Sequence, residues 1–377
     1  MDDEDETDPG LAGLSPEFQA MVGGLAGHTA SFAKLLDRRS QGMTKEAEKE
    51  KDDEVYLESY ADLAIHEDML KDVPRVDAYR RAIEFHSDEW KRRGDVSAVD
   101  VGSGTGLLAV FCARAGARRV VAVEASRLSG FLRQVAEANA PGTIDVQECR
   151  AEELKLPEGE QVDVVVSEWM GYCLLFENML PSVLAVRDRY LKPGGTMLPS
   201  RCRLLVAPLE DGAWRDSHLS FWNNVQGIDM SAMIPLATST SCEKPQHRLV
   251  PADGLLGPPT EVLALDLATC KEADLRQSET EFTVQLPAGR RLDGFVTWFD
   301  CEFGAAGWLL STAPSQPPTH WRQTAFYLRQ PVDGGGGISI ECVVGMQRHE
   351  EYSRGYRVNI ELKAPGRKRR MESFELR

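Results

Sequence analysis

The chain has 377 residues, which is long for one compact core and predicts two domains, and its 42% hydrophobic content is ordinary for a globular protein. With 59 acidic and 43 basic residues, its formal net charge of −16 argues against direct nucleic acid binding and favours a basic protein or peptide partner. No apolar run approaches the about 18 residues of a membrane span, and scattered cysteines and histidines suggest no metal. We therefore expect neither a membrane nor a metal partner, and a cytoplasmic or nuclear location.

The N-terminal region divides into two parts. Residues 1–50 combine an acidic start, Gly/Ser/Pro punctuation and a charged run that continues to Glu54, which predicts a disordered or flexible arm. From Val55 to Arg93, apolar residues recur at steps of three and four, which predicts amphipathic helices. The first folded domain is therefore placed at residues 51–198.

Short apolar runs alternate with helical patterns through the rest of this domain. The strand pattern VSAVDV is followed by the glycine turn GSGTG and a helical pattern, and three more strand patterns follow, RRVVAVEA, TIDVQECR and VDVVVSE. This rhythm indicates βαβ units in a parallel, doubly wound, Rossmann-like sheet. A helix at 178–190 and the stretch LKPGG close the domain.

The pattern changes after Pro199. Seven short β-type runs separated by Pro, Gly and Asp predict an antiparallel β-barrel or sandwich over residues 199–377. The stretch DGGGG at 333–337 predicts a hairpin loop. A segment at about 211–233 is aromatic and helical in pattern and interrupts the strands, so it is interpreted as an insertion, either a local subdomain or an arm that reaches a partner subunit.

The glycine turn predicts a nucleoside site. Glycines here let a ligand approach the backbone beside a helix N-terminus; they are Gly102, Gly104 and Gly106. Glu124 ends the next strand, where a carboxylate can accept hydrogen bonds from ribose hydroxyls. The GxGxG spacing is tighter than the GxGxxG usual for dinucleotides. Asp100, Glu152 and Glu153 add acceptors, which favours S-adenosylmethionine over a dinucleotide.

Two glutamates in an otherwise largely apolar stretch, SEWMGYCLLFENML, suggest a binding site for a cation. Glu168 and Glu177 are nine residues apart, so neither a helix nor a strand would place them on one face. The segment must fold back, with Gly171 as a plausible bend, at the carboxyl end of the fourth strand. A planar, permanently charged guanidinium is the cation that best satisfies two converging carboxylates.

With these residues in view, the chain closely resembles the protein arginine N-methyltransferase family from about Val55 to about Leu362. The matching stretches are VYLESYADLAIHEDMLKDVPR, VDVGSGTG, VVAVEAS, SEWMGYCLLFENML and THWRQTAFYL. The fourth resembles the family's double-glutamate loop and the fifth its Thr-His-Trp loop. The resemblance implies an S-adenosylmethionine-dependent methyltransferase domain, a β-barrel with an inserted dimerisation arm, a homodimer, and arginine/glycine-rich or basic protein substrates, with histones and RNA-binding proteins as candidates.

The resemblance also implies roles for individual residues. Glu168 and Glu177 would bind the substrate arginine, and His320 with Asp72 would remove its proton. Residues implied at the cofactor, besides the glycine turn and Asp100, are Tyr60, His66, Met69, Arg75, Glu124, Ala151 and Glu152. Arg75 would pair with the cofactor's carboxylate. Residues implied on the substrate side, besides the two glutamates, are Tyr60, Met179 and Trp321.

Two features bear on product and affinity. Methionines at the positions of Met69 and Met179 resemble the branch of the family that makes asymmetric dimethylarginine, called type I. The family usually has Tyr-Phe where this chain has Tyr56 and Leu57. Losing an aromatic stack over the adenine would weaken cofactor binding by roughly 1 kcal/mol.

Three other functions remain open from the sequence. A nicotinamide-dependent oxidoreductase would use the same nucleotide fold but leaves the two glutamates unexplained. A catalytically silent arginine-binding adaptor would keep the site without turnover, and a small-molecule methyltransferase would act on a different substrate. Methyl transfer to an arginine peptide separates these alternatives from the family activity.

Overall fold

The computed structural model describes residues 45–60 and 62–377. The described residues divide into two units, one ending at Ser59 and one spanning residues 60–377. In the first unit, helix α1 spans Lys45–Ser59. The charged run is therefore helical from Lys45 onward, and the predicted domain boundary at residue 50 stays a prediction. The rest of the predicted arm, residues 1–44, lies outside the described residues.

Three short helices begin the second unit: α2 (Leu63–Lys71), α3 (Val73–Phe85) and α4 (Ser87–Arg93). Acidic side chains cap the first two. Asp62 accepts a hydrogen bond from the backbone N–H of Ala64, and Asp72 accepts one from the backbone N–H of Arg75. Pro74 at the start of α3 suits a position where a helix needs no N–H donor. The cap at Asp72 therefore fixes the positions of Asp72 and Arg75 at the start of α3.

A five-stranded parallel sheet follows, in the order β3-β2-β1-β4-β5. Its strands are β1 (Ser97–Val101), β2 (Arg119–Val123), β3 (Ile144–Gln147), β4 (Val162–Val166) and β5 (Leu191–Leu198). The helices that accompany it are α5 (Leu107–Ala115), α6 (Ser129–Asn139) and α7 (Leu180–Tyr190). The strand order reverses at β1, so the loops after β1, β2 and β4 meet at one edge, where such sheets bind ligands.

Strand β5 differs from the sequence prediction. The stretch LKPGG is expected to close the domain, but it begins an edge strand: Leu191 lies opposite Val162 of β4, residues 192–195 have no partner in β4, and pairing resumes at Thr196. The proline and glycines therefore form a bulge, where no ladder hydrogen bond to β4 is needed. Because proline and glycine are typical of turns, the sequence pattern does not predict this strand.

The remainder of the unit forms two antiparallel sheets. The first has the order β7-β12-β10-β6-β8 with β11 paired to β10, and the second has the order β15-β14-β13-β9. Their strands are β6 (Arg201–Leu209), β7 (Gln246–Arg248), β8 (Thr260–Asp266), β9 (Gln277–Leu286), β10 (Arg291–Glu302), β11 (Leu309–Ser311), β12 (Gln323–Asp333), β13 (Ile338–Arg348), β14 (Tyr356–Lys363) and β15 (Arg370–Leu376). All seven predicted runs are strands; β7, β11 and β15 are not predicted from the sequence.

The prediction of a hairpin at DGGGG is wrong. This stretch joins β12 to β13, but β12 pairs with β10 and β7, whereas β13 pairs with β14 and β9. The connection therefore crosses from one sheet to the other. Gly334 packs so closely on the backbone that an added Cβ would lie 2.4 Å from the carbonyl oxygen of Pro287. Glycine is needed here for close approach rather than for a two-residue turn.

The insertion between β6 and β7 extends further than predicted. It contains helix α8 (Gly212–His218), two 3₁₀ turns and helix α9 (Ile234–Ser241). Its base is anchored, because the ring of Trp214 stacks on Tyr327 with centroids 3.5 Å apart and Arg215 pairs with Asp293. Beyond the base, large apolar side chains are exposed; they are Phe221, Ile228, Met233 and Leu236.

Candidate active site

The glycine turn follows β1 and approaches its neighbours too closely for any side chain. Its glycines have φ of +71°, +53° and +88° at Gly102, Gly104 and Gly106, the left-handed region that favours glycine. A Cβ on Gly102 would lie 2.3 Å from Met179 Cε, and one on Gly104 would lie 2.9 Å from His66 Cε1. The turn is therefore bordered by two predicted site residues.

Two carboxylates fix the turn. Glu124, at the end of β2, accepts hydrogen bonds from the backbone N–H of Gly104 (2.7 Å) and of Ser126 (2.8 Å). Asp100 is fully buried, and its Oδ2 accepts from the N–H of Ala109 at 3.0 Å. Burial raises the pKa of Asp100 to about 7. Asp100 therefore supports the start of the helix that follows the turn, and its contact with the cofactor stays a prediction.

The double-glutamate loop folds back on itself between β4 and α7. Gly171 and Leu174 form an isolated antiparallel bridge, and the N–H of Phe176 donates to the carbonyl of Tyr172 at 3.1 Å. The left-handed residues of the loop are Cys173, Leu174, Glu177 and Asn178, with φ between 50° and 73°. Non-glycine residues avoid this region, so the surrounding contacts must hold the loop in place.

Glu168 is paired within the protein. Its Oε2 accepts a hydrogen bond from Arg75 Nε at 3.0 Å, and Arg75 Nη1 donates to the carbonyl of Met69 at 2.7 Å. Arg75 is therefore already engaged through two of its nitrogens. Among the described residues, the third nitrogen, Arg75 Nη2, makes no hydrogen bond. The predicted ion pair with the cofactor carboxylate would therefore use Nη2.

Glu177 lies within electrostatic range of Glu168. Its Oε2 accepts a hydrogen bond from the hydroxyl of Tyr60 at 2.6 Å. The pKa of Glu177 is raised to about 7; burial raises it most, the hydrogen bond from the Tyr60 hydroxyl and the charge of Arg354 lower it, and the charge of Glu168 raises it. A cation bound between the two carboxylates would offset the charge of Glu168, which raises the pKa of Glu177.

His320 and Asp72 form the predicted pair. His320 Nδ1 lies 2.7 Å from Asp72 Oδ2, and the backbone N–H of His320 donates to the same oxygen at 2.9 Å. Burial raises the pKa of Asp72, but the hydrogen bonds from His320 and Arg75 outweigh it, so the pKa of Asp72 is lowered. Trp321 is buried and donates from Nε1 to the carbonyl of Met170 at 2.9 Å. This hydrogen bond attaches the double-glutamate loop to the segment that carries His320.

The remaining predicted cofactor residues lie around the same sheet edge. His66 Nε2 is 2.8 Å from the carbonyl of Tyr60, and Met69 is buried. Ala151 begins a 3₁₀ turn and is buried, whereas Glu152 is exposed and accepts from the hydroxyl of Ser182 at 2.5 Å. Leu57 belongs to the separate unit 1–59, so its effect on cofactor affinity stays a prediction.

Sequence reasoning missed contacts from the antiparallel sheets. Arg354, in the turn between β13 and β14, exchanges two hydrogen bonds with the backbone of Glu177. The ring of Tyr172 stacks on His247 with centroids 3.7 Å apart. No local motif points to either contact, because each joins segments far apart in the chain.

Comparison with known proteins agrees with this geometry. A family model described as a methyltransferase domain matches residues 98–195, and one described as the arginine methyltransferase oligomerization subdomain matches residues 200–367. Fold and site together define a methyltransferase with a nucleotide-binding parallel sheet and an antiparallel subdomain.

Individual relatives identify the family. A probable protein arginine N-methyltransferase 6.1 of Oryza sativa subsp. japonica is 37% identical over 342 residues, covering 83% of this chain and 86% of that protein. Protein arginine N-methyltransferase 6 of Xenopus laevis is 36% identical over 335 residues, covering 87% and 97%. The solved Trypanosoma brucei PRMT1 enzyme–prozyme heterotetrameric complex with AdoHcy is similar at a TM-score of 0.75 and 32% identity, covering 85% of this chain and all of that one. The chain belongs to the protein arginine N-methyltransferase family, which confirms the predicted resemblance and fold class.

Within residues 45–60 and 62–377, no helix has the length and apolar character needed to cross a bilayer. The same part of the chain contains no group of three or more His, Cys, Asp and Glu side chains placed to hold a metal ion.

Proposed function

We propose that the chain transfers methyl groups from S-adenosylmethionine to a terminal guanidino nitrogen of arginine in protein substrates, giving monomethyl- and asymmetric dimethylarginine. The observation that carries this proposal is the convergence of Glu168 and Glu177 at the edge of the parallel sheet that also holds the glycine turn. A solvated pair of glutamates would not be held by Arg75, Tyr60 and a strained loop.

The residues present fit the cofactor. The glycines at 102, 104 and 106 leave the turn without side chains, as close approach of a ligand to the backbone requires, and the carboxylate of Glu124 at the end of β2 suits ribose hydroxyls. Arg75 Nη2 is the donor we assign to the carboxylate of the amino acid end. S-adenosylmethionine supplies, when bound, an electrophilic methyl group on a sulfonium.

The side chains of the loop would bind and orient the substrate. Glu168 and Glu177 would accept hydrogen bonds from the guanidinium and so fix the direction from which the attacking nitrogen meets the methyl group. Orientation of this kind can supply about 7–11 kcal/mol of the barrier. The two carboxylates also draw positive charge toward the nitrogens they bind, which leaves the attacking nitrogen richer in electrons. His320, oriented by ionised Asp72, would take up the proton as the new bond forms.

Met69 and Met179 support the asymmetric product. Met179 Cε lies against the glycine turn, and Met69 is buried in α2, where its carbonyl accepts a hydrogen bond from Arg75, the partner of Glu168. Flexible, unbranched side chains adapt their shape to a nitrogen that already carries one methyl group.

Methyl transfer to an arginine/glycine-rich peptide or a histone tests the activity and product together. We expect radiolabel from S-adenosylmethionine to appear in the peptide, and amino acid analysis to show monomethyl- and asymmetric dimethylarginine. Symmetric dimethylarginine alone would contradict the product assignment. Binding of cofactor and peptide without turnover would instead identify a silent partner, and retained nicotinamide nucleotide without cofactor binding would favour an oxidoreductase.

The exposed apolar side chains of the insertion support a homodimer, and we propose that it acts in the cytoplasm or nucleus. Phe221, Ile228 and Leu236 expose 47%, 57% and 61% of their surface. Large apolar side chains exposed together on one segment are typical of a protein–protein interface.

We expect Phe221→Glu combined with Leu236→Glu to lower the mass from dimer to monomer in light scattering at micromolar concentration. Met371→Glu, at an exposed apolar residue of β15, is the matched control and should remain dimeric. A monomeric wild type with full activity would contradict the dimer.

A further inference from the structure

We propose that Arg354, in the turn between β13 and β14, is a positioning residue that holds Glu177 in the orientation needed to bind the substrate arginine. The inference deepens the proposed function and rests on it. It makes the C-terminal sheet a contributor to the active site of the parallel-sheet domain.

The contact between the turn and Glu177 is reciprocal. The backbone N–H of Glu177 donates to the carbonyl of Arg354 at 2.9 Å, and Arg354 Nη1 donates to the carbonyl of Glu177 at 2.7 Å. The next residue is held in the same way. Asn178 Nδ2 donates to the carbonyl of Ser353 at 3.0 Å, and the hydroxyl of Tyr356 donates to Asn178 Oδ1 at 3.2 Å. Three hydrogen bonds to the turn and one to the first residue of β14 therefore hold two residues of the loop.

These hydrogen bonds act where the loop is least able to hold itself. Glu177 has φ of +73° and Asn178 has φ of +52°, left-handed conformations that non-glycine residues avoid. The backbone N–H and carbonyl of Glu177 find both of their partners on Arg354. Without the guanidinium, that carbonyl loses its partner, and the backbone of Glu177 can relax to negative φ, which turns its side chain away from Tyr60 and Glu168.

Arg354 also acts on Glu177 through its charge. The groups that face the Glu177 carboxylate are the hydroxyls of Tyr60 and Tyr172, the carboxylate of Glu168 and the guanidinium of Arg354. Burial and Glu168 raise the pKa of Glu177, and the Tyr60 hydrogen bond and Arg354 lower it. Removing Arg354 would therefore raise this pKa further, so that a smaller fraction of Glu177 is ionised at neutral pH.

The test compares Arg354→Ala and Arg354→Lys with Arg357→Ala in the full chain. Arg357 is the matched control, because it is an exposed arginine of β14 whose ion pair is with Glu375. We expect Arg354→Ala to lower kcat/KM for an arginine peptide about 100-fold and to move the acidic limb of its pH profile upward by about half a unit or more. Arg354→Lys keeps the charge, so the acidic limb of its pH profile should match that of the wild type. Its kcat/KM should be only partly restored, because lysine lacks the guanidinium that donates to the Glu177 carbonyl. Arg357→Ala should change neither, and S-adenosylhomocysteine should bind all variants with similar affinity by calorimetry.

A second measurement reads Glu177 directly. Carboxyl ¹³C NMR with glutamate labelling, assigned by loss of the signal in Glu177→Gln, should show a higher pKa for Glu177 in Arg354→Ala than in wild type. An unchanged carboxyl titration together with an unchanged pH limb would overturn the inference, as would equal losses of cofactor and peptide binding in Arg354→Ala and Arg354→Lys. If the wild type transfers no methyl group, the proposed function fails, while the carboxyl titration still decides the role of Arg354.

Discussion

Replacing either glutamate of the loop with glutamine is expected to abolish methyl transfer while changing stability in opposite directions. Glutamine keeps the size and one acceptor oxygen of each side chain but removes the negative charge that binds and polarises the guanidinium. We expect kcat/KM to fall about 1000-fold or more for both Glu168→Gln and Glu177→Gln. The loss should be measured with an arginine peptide, after calorimetry has shown that S-adenosylhomocysteine still binds.

Glu168→Gln should destabilise the protein at neutral pH. The ion pair between Arg75 Nε and Glu168 Oε2 is 3.0 Å long, and both side chains are about nine-tenths buried. Removing the carboxylate leaves a buried guanidinium with a weaker acceptor, which costs about 1–3 kcal/mol. Urea unfolding at pH 7 measures this difference. A stability equal to wild type would show that Arg75 does not depend on Glu168.

Glu177→Gln should stabilise the protein above pH 7. The pKa of Glu177 rises from 4.5 in the unfolded chain to about 7 in the native site, mainly through burial. The native state thus binds the proton more tightly than the unfolded state, so stability falls as pH rises from 4.5 to 7 and the penalty is complete above 7. Glutamine has no charge to bury, which should raise the free energy of unfolding by about 1–3 kcal/mol at pH 8 and leave it nearly unchanged at pH 4.5. A variant less stable than wild type at pH 8 would refute the raised pKa.

Much of the site follows from local sequence. Glycines between a strand and a helix, and an acid at the end of the next strand, specify one edge of a parallel sheet, and the structure brings Gly104 and Glu124 within hydrogen-bonding distance. The convergence of Glu168 and Glu177 also follows, because their spacing fits neither regular element and requires a reversal of the chain. The Asp72 and His320 pair came from motif resemblance rather than from spacing, since 248 residues separate them.

What could not be predicted depends on contacts between distant segments. The engagement of Arg75 with Glu168 and of Arg354 with Glu177 arises from packing that no local pattern encodes. The strand at LKPGG and the crossover at DGGGG were misjudged for a related reason. Proline and glycine mark turns in most sequences, but an edge strand tolerates one and a close backbone crossing requires the other.

Gly171→Ala is expected to disable substrate binding through a single methyl group. Gly171 has an ordinary negative φ, so alanine would not strain its own backbone, but the added Cβ would lie 2.1 Å from the carbonyl oxygen and 2.8 Å from the carbonyl carbon of Phe176. Neither atom belongs to a flexible side chain, so the hairpin closed by Gly171 and Leu174 must open. We expect kcat/KM for an arginine peptide to fall about 100-fold or more, and stability to fall by about 1–3 kcal/mol.

Gly130→Ala is the matched control, since it adds the same methyl group where nothing lies within 4 Å, in the first turn of α6. Alanine should leave kcat/KM unchanged and stabilise the helix by about 0.5 kcal/mol. The glycine turn at 102–106 follows β1, whereas the double-glutamate loop follows β4. Cofactor affinity therefore shows whether the loss of kcat/KM in Gly171→Ala comes from the loop alone. Retained affinity for S-adenosylhomocysteine with lost peptide turnover would place the defect in the loop. Full activity in Gly171→Ala would mean that the two glutamates do not need the tight reversal to converge on the guanidinium.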